Sequence, residues 1–585
     1  MRILKRFLKI LFILLLFSLF LPDLDNKSVG QTTARAKKAI EHQNARHLEL
    51  ELFYDHGAIS VEKVTIRDGY LPSKIGKNKN GWYSIELKDL DGELLYSSPF
   101  FDPRICFYDD LDSTTMKLRG GFIFKDQVYF VLRIPILKED QDMTIAGPQG
   151  GLVWQTNLSD LSEKIIMQRP VFLWESETVI YNGDPENRID LVFLGDGYTV
   201  NDTGRFRTDV IRNINYLFSI SPYSEYQSYF NVHMVKVISA ESGADHPEAN
   251  PPIYRNTALG AYYNCGGIAR LICANDNAAY SAASSAIPYW DKILLLVNDQ
   301  TYGGSGGNYA IAYNGYPYWG RQILNHELAH SFGPLLDEYL YGSQSGSVSG
   351  CNCDTDSLTP KWQAWIDTGS PGVDAFRGCC WLNYFRPSNN ECTMNGLQDR
   401  FCVVCREQLT KSTNWRTLSF DNYFPIGDPE IPRSTSLVFW IEKMVPSTHD
   451  LKVQWYVDNI PKEGGTGDSF IFVSNDTGSF EVKVAVMDST NLVLSDPDDY
   501  LVDVLSWNVH VIPSSCGNYI CGDVNGDGKI ELSDVIYLAN YMLKEGPPPS
   551  PVEAGNIDCV NGINLADVIY LANYLLKGGP APPVC

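Results

Sequence analysis

The chain has 585 residues, 44% hydrophobic and 20% charged, enough for several ordinary globular domains each with its own core. Its 47 basic and 70 acidic residues leave a net charge of −23, which excludes nucleic acid as a natural partner, because phosphate binding needs a cationic face. The acidity reads first as solubility, with calcium-binding carboxylates accounting for part of the rest.

The N-terminus, MRILKRFLKILFILLLFSLFLPDLD, has a basic start (Arg2, Lys5, Arg6, Lys9) and an apolar run over residues 10–21 that stops at Pro22. That run is short for a bilayer span of about 20 residues. Residues 1–30 therefore read as a secretory signal, with a retained anchor as the alternative. No later stretch is long and apolar enough to span a bilayer. The expected location is secreted or cell-surface associated. Fourteen cysteines fit export and read as a disulfide framework. Cys402-Val-Val-Cys405 suggests half a zinc knuckle or a redox pair, but no second CxxC completes a four-cysteine site, and both readings are set aside.

The fold class expected is multidomain. Residues 45–180 alternate apolar and polar over short spans between Gly, Asp and Pro turns, as in LELELFYDHG and DQVYFVLRIPIL, and read as an N-terminal β-sandwich-like domain without a catalytic cluster. From Arg188 the pattern changes to strands alternating with helices, so residues 188–412 read as an α/β domain of catalytic type. Residues 415–513 return to short strands and read as a β-sandwich. In the last segment, 517–585, DVIYLANY occurs at Asp534 and again at Asp567, a period of 33, and each copy opens an amphipathic helix with a Pro-rich stop.

HELAHSFGPLLDEY, residues 326–339, carries the chemistry. His326 and His330 are i and i+4, so a helix puts both imidazoles on one face, where two neutral nitrogens reach one zinc ion. Glu327 then lies beside the metal, placed to act as general base on a zinc-activated water. Gly333 and Pro334 end the helix and turn the chain back, bringing Asp337 and Glu338 within reach as a third ligand. NECTMNG places Met394 in a tight turn, as a Met-turn beneath the metal would require. Tyr339 and Tyr384 are candidates for stabilising the oxyanion. Asp245 and His246 read as a capped loop more readily than as part of a cleft. There is no G-x-S-x-G.

LVFLGDGYTVND, SAESGADHP, HELAHSFGPLLDEY and YFRPSNNECTMNGLQDRFCVVCRE resemble the IgA-peptidase-type bacterial zinc metallopeptidases, over about 188–412. The resemblance implies a secreted zinc endopeptidase with a metzincin-like core, His326 and His330 as ligands and Glu327 as base, acting on protein or peptide substrates. A metzincin places its third ligand ten residues after the first histidine. That position here is Leu336, so the loop must carry one extra residue. Asp337 is preferred, with Glu338 as the alternative. A non-catalytic adhesion or scaffold protein with a structural metal is the rival reading, and the intact Glu327 argues against it.

DVNGDGKIELSD, residues 523–534, has the spacing of a calcium loop: Asp523, Asn525 and Asp527 at alternate positions, Gly528 at the turn, the Lys529 carbonyl, and Asp534 closing. The segment resembles a type I dockerin, which implies a cohesin-type scaffold module as partner. The second copy offers Asn556, Asp558, Asn564 and Asp567, but Val560 stands where a fifth-position ligand belongs. Cys521 and Cys559 lie near the two loops and are candidates for a bridge.

Overall fold

The computed structural model describes residues 46–582, apart from 69–82, 90, 113–116, 137–141, 148–150, 159, 162–164, 167–173, 315–318, 343–344, 514–518 and 559–561. The expected signal segment and Cys559 lie outside the described residues. The chain is multidomain, with many β-sheets and few helices, and divides into two compact units.

The first unit runs to Asp421 and also takes in Lys443–Lys452 and Val486–Val504. It opens with two four-stranded sheets. In one, Arg46–Asp55 pairs antiparallel with both Ala58–Asp68 and Gln127–Pro135. In the other, Tyr83–Lys88 lies between Leu94–Phe100 and Asp142–Ala146. Alternation along these strands sends Leu50, Leu52, Val64, Leu87 and Ile145 into one shared core. A hairpin, Ile105–Asp112 with Lys117–Phe124, belongs to neither sheet.

The continuous apolar runs form the second part of this unit. Ile189–Asp196, buried at every position, runs parallel to Phe230–Lys236 and Lys292–Val297, as strands covered on both faces do. Ala310–Tyr313 continues the parallel sheet, and the short edge strand Gly304–Ser305 closes it antiparallel. Helix Thr203–Leu217 buries Phe206, Val210, Ile214 and Leu217 at helical spacing. Helix Trp319–Phe332 carries the two histidines and is almost wholly buried. Two disulfides, Cys265–Cys273 and Cys353–Cys379, are formed among the described residues.

The second unit comprises Asn422–Glu442, Val453–Ala485 and Leu505–Cys585. Its β part is centred on Trp455, Trp507 and Phe439, whose rings pack 4.9–6.2 Å apart. Two C-terminal helices, Leu532–Lys544 and Leu565–Lys577, share a small core of Val524, Leu538, Ile557 and Leu571. No helix among the described residues is long and apolar enough to cross a membrane.

Candidate metal centre

The histidine helix presents His326 Nε2 and His330 Nε2 to each other at 3.1 Å. Their other ring nitrogens are committed. His326 Nδ1 donates to the Thr393 carbonyl at 3.0 Å and His330 Nδ1 to the Leu335 carbonyl at 2.7 Å. A carbonyl only accepts, so each Nδ1 carries a proton, and in the neutral imidazole each Nε2 is left with a lone pair turned into the pocket. Two such lone pairs facing one another at that distance repel, so the neutral rings need a cation between them.

Asp337 completes the triangle: its Oδ1 lies 3.0 Å from His326 Nε2 and 3.4 Å from His330 Nε2. Its Oδ2 accepts from the Tyr341 hydroxyl at 2.8 Å. Glu338, the alternative ligand, is turned away; its carboxylate accepts from the Ser388 hydroxyl at 2.6 Å. The two neighbours thus face different groups, Asp337 the histidines and Glu338 the Ser388 hydroxyl. Met394 is fully buried in the turn that supplies the Thr393 carbonyl.

A fourth group comes from the N-terminal part. Asp109, on the hairpin strand Ile105–Asp112, puts Oδ2 3.1 Å from His326 Nε2 and accepts from the Tyr339 hydroxyl at its other oxygen. Phe107 of the same strand stacks on the His330 ring at 4.0 Å. Its backbone pairs with Gly306, next to the edge strand, with N–H to carbonyl distances of 2.8 and 3.3 Å. The stretch expected to hold no catalytic cluster thus supplies the lid of this one. Nothing local marks Asp109; it gains its place only through the pairing of a hairpin with a distant sheet edge.

The donor set fits a divalent metal ion. Asp109 Oδ2, Asp337 Oδ1 and both Glu327 carboxylate oxygens are buried without a hydrogen-bond partner. Leaving such groups bare costs about 1–3 kcal/mol each, and more when charged. The electrostatics ask for the same thing. Burial alone would lower the His326 imidazole, but Asp109 and Asp337 outweigh it and push it up to about 10. Burial, then the Asp109 charge, holds the Glu327 carboxyl well above the ordinary range. The pocket demands positive charge, and two imidazoles with a carboxylate are the donors zinc takes.

The remaining candidates separate. Tyr339 is spent on Asp109, and Tyr384 donates to the Val348 carbonyl at 2.9 Å, outside the cluster. Tyr302 has a buried hydroxyl without a partner, raised by burial and by Asp109 and Glu327. His246 bridges Glu248 and Asp299, and Asp245 caps the Arg255 amide, as a capped loop does. One expectation needs correction. Cys402 and Cys405 lack a second CxxC, yet they are not alone, because the fold brings Cys392 and Glu338 to them.

In the C-terminal repeat, Asp523 accepts from the Asp527 and Gly528 amides at 3.0 and 2.8 Å, and Asp534 from Val524 and Glu531 at 3.0 and 2.9 Å. Asn525 and Asp527 stand beside each other, with Asn525 Nδ2 3.0 Å from Asp527 Oδ2. Asp567 repeats the closing role for Ile557, Asp558 and Asn564. Asn556 Oδ1 is buried without a partner. The stretch between, with Val560, lies outside the described residues.

Comparison with known proteins agrees with the histidine cluster. A glucan endo-1,3-beta-D-glucosidase of Acetivibrio thermocellus is 25% identical over 165 residues, 26% of this chain and 20% of that protein. The chain therefore spans about a fifth of that relative's length. Residues 178–371, which include the histidine helix and Asp337 but end before Met394, match the family model described as IgA Peptidase M64, a family of metallopeptidases, and the match supports a peptidase acting on proteins or peptides.

Proposed function

We propose that the chain is an exported zinc-dependent endopeptidase, held latent by its N-terminal hairpin and tethered through a calcium-dependent dockerin. The observation that carries the catalytic reading is the convergence of His326, His330 and Asp337 around unpartnered carboxylate oxygens, with Glu327 beside them.

His326, His330 and Asp337 would hold the zinc. Bound there, it would act as a Lewis acid on the scissile carbonyl and acidify a nearby water. Glu327 takes the proton from the attacking water and delivers it to the leaving amine. The Thr393 and Leu335 carbonyls keep both imidazoles in the ligating tautomer, and the Tyr341 hydroxyl orients Asp337. Tyr302 is the candidate donor to the developing oxyanion. Asp109 occupies the side a substrate carbonyl must approach, and His326, Glu327 and Asp109 are all at most 2% exposed. The hairpin has to leave before a peptide can enter.

Export is supported by the basic-then-apolar N-terminus and by the disulfides. Tethering is supported by the two loop-helix copies. Leu532, Ile536 and Leu543 stay exposed, as do Leu565, Ile569 and Leu576 one period later, giving two equivalent apolar faces for a cohesin-type module.

The test uses the full chain, Asp109→Ala and Glu327→Ala, each loaded with zinc and calcium and incubated with a mixed protein panel that includes IgA. New peptide termini are read by mass spectrometry. Cleavage by Asp109→Ala above the parent, and none by Glu327→Ala, supports the reading. Equal termini in all three would overturn it.

A further inference from the structure

Glu338, turned away from the histidines, enters a second pocket. There one ligand atom each from Glu338, Cys392, Cys402 and Cys405 lies within 4.8 Å of the others. Glu338 Oε1 is 3.1 Å from Cys405 Sγ and 3.5 Å from Cys402 Sγ. The Cys402 amide donates to Cys392 Sγ at 3.3 Å. None of the three cysteines is in a disulfide. Glu338, Cys392 and Cys405 are fully buried, and among the described residues no lysine or arginine is ion-paired with Glu338.

We propose that Cys392, Cys402, Cys405 and Glu338 bind a second, structural zinc ion. Three thiolates and one carboxylate fill a tetrahedral zinc shell and leave no open position, the mark of a structural site. With Zn–S about 2.3 Å and Zn–O about 2.1 Å, a sulfur-to-oxygen edge of such a tetrahedron is about 3.6 Å, close to the 3.1 and 3.5 Å between Glu338 Oε1 and the two sulfurs. Cys402 caps helix Val403–Arg416, so two of the sulfurs sit at a helix N-terminus, where the dipole favours thiolate. A disulfide would consume two of the sulfurs and strand the third beside a buried carboxylate that has no cation at ion-pair distance among the described residues, the Arg386 charge acting on it only from further off. A dication satisfies all four, and binding releases the thiol protons.

The site fastens the first centre. The Glu338 amide donates to the Met394 carbonyl at 2.8 Å, and the Asn395 side chain donates to the Glu338 carbonyl at 2.8 Å. A metal on the Glu338 carboxylate would rivet the loop that carries Asp337 to the turn beneath the histidines. The site stands whether or not the first centre cleaves peptides.

The experiment is metal analysis of the purified full chain, with cobalt substitution and peptide mapping of the cysteines. The first centre has no sulfur donor, so sulfur-to-cobalt charge-transfer absorption in the near ultraviolet reports the second alone. The parent is expected to bind two zinc ions per chain and to show that absorption. His330→Ala keeps the absorption and drops to one zinc. Cys402→Ser loses the absorption and one zinc. A parent whose cobalt form lacks the absorption, with two of the three cysteines mapped to a disulfide, overturns the proposal and leaves the first centre untouched. Should Cys402→Ser fail to fold, the parent's stoichiometry and absorption decide alone.

Discussion

Tyr341 shows how much of the centre lies outside its ligands. Its hydroxyl holds Asp337 Oδ2 so that Oδ1 faces the histidines. Tyr341→Phe is expected to keep the fold and weaken zinc binding about 10- to 100-fold, measured by competition with a chelator. Unchanged affinity would remove Tyr341 from that role. At this scale the sequence is unevenly legible. His326, Glu327 and His330 announce themselves because helical spacing turns the two histidines to one face. Asp337 is legible only once one extra loop residue is allowed, and its distinction from Glu338 depends on which way the folded loop turns each side chain. Asp109 and Cys392 are invisible, since each owes its place to contacts made by distant segments.

On the proposed reading, the hairpin is the element that decides accessibility. Across it, Asp109 is paired with Gly120. A Cβ at Gly120 would collide with the Tyr108 carbonyl and lie 2.5 Å from the Tyr339 hydroxyl, the group that holds Asp109. Gly120→Ala is therefore expected to lift the hairpin. Cleavage of a peptide substrate should exceed the parent's, and residues 105–124 should exchange amide hydrogens faster. An unchanged exchange rate would show that the strand tolerates the methyl group. The strands themselves are legible from alternation and from unbroken apolar runs. Their partners are not, because alternation says which face is buried and not against which sheet.

On the scale of the whole molecule, a buried ion network joins the N-terminal sheet to helix Asp276–Ala286, which packs on the parallel sheet. Glu49 accepts from Arg67 at 2.8 Å, from Arg133 at 2.9 Å and from Ser284, on helix Asp276–Ala286, at 3.2 Å. Burial alone would raise the Glu49 carboxyl, but the Arg133 and Arg67 charges outweigh it and hold it below the usual 4.5. A carboxyl lowered by folding stabilises the folded state above its unfolded pKa and loses that contribution as pH falls through its folded pKa. Thermal midpoints should thus fall below about pH 4.5, and Glu49→Gln should flatten that slope while costing about 3–5 kcal/mol at neutral pH. In the C-terminal repeat, a core cluster of four buried side chains among the described residues is too small to hold the segment unaided. Calcium removal with EGTA should melt the two C-terminal helices, seen as lost far-ultraviolet ellipticity, and Asp523→Ala should reproduce the loss with calcium present. Persistence of that ellipticity would count against a calcium-supported fold.

The pairing of Phe107 with Gly306 fixes a direction of travel. The capping strand lies along the sheet edge as a guest peptide would, antiparallel to it, with Phe107 over His330 and Asp109 at His326. A peptide that takes its place inherits that polarity. Its alternate side chains then face the histidines and the solvent by turns, so selectivity would be read at every second residue, in a groove the protein has already fitted to a sequence of its own.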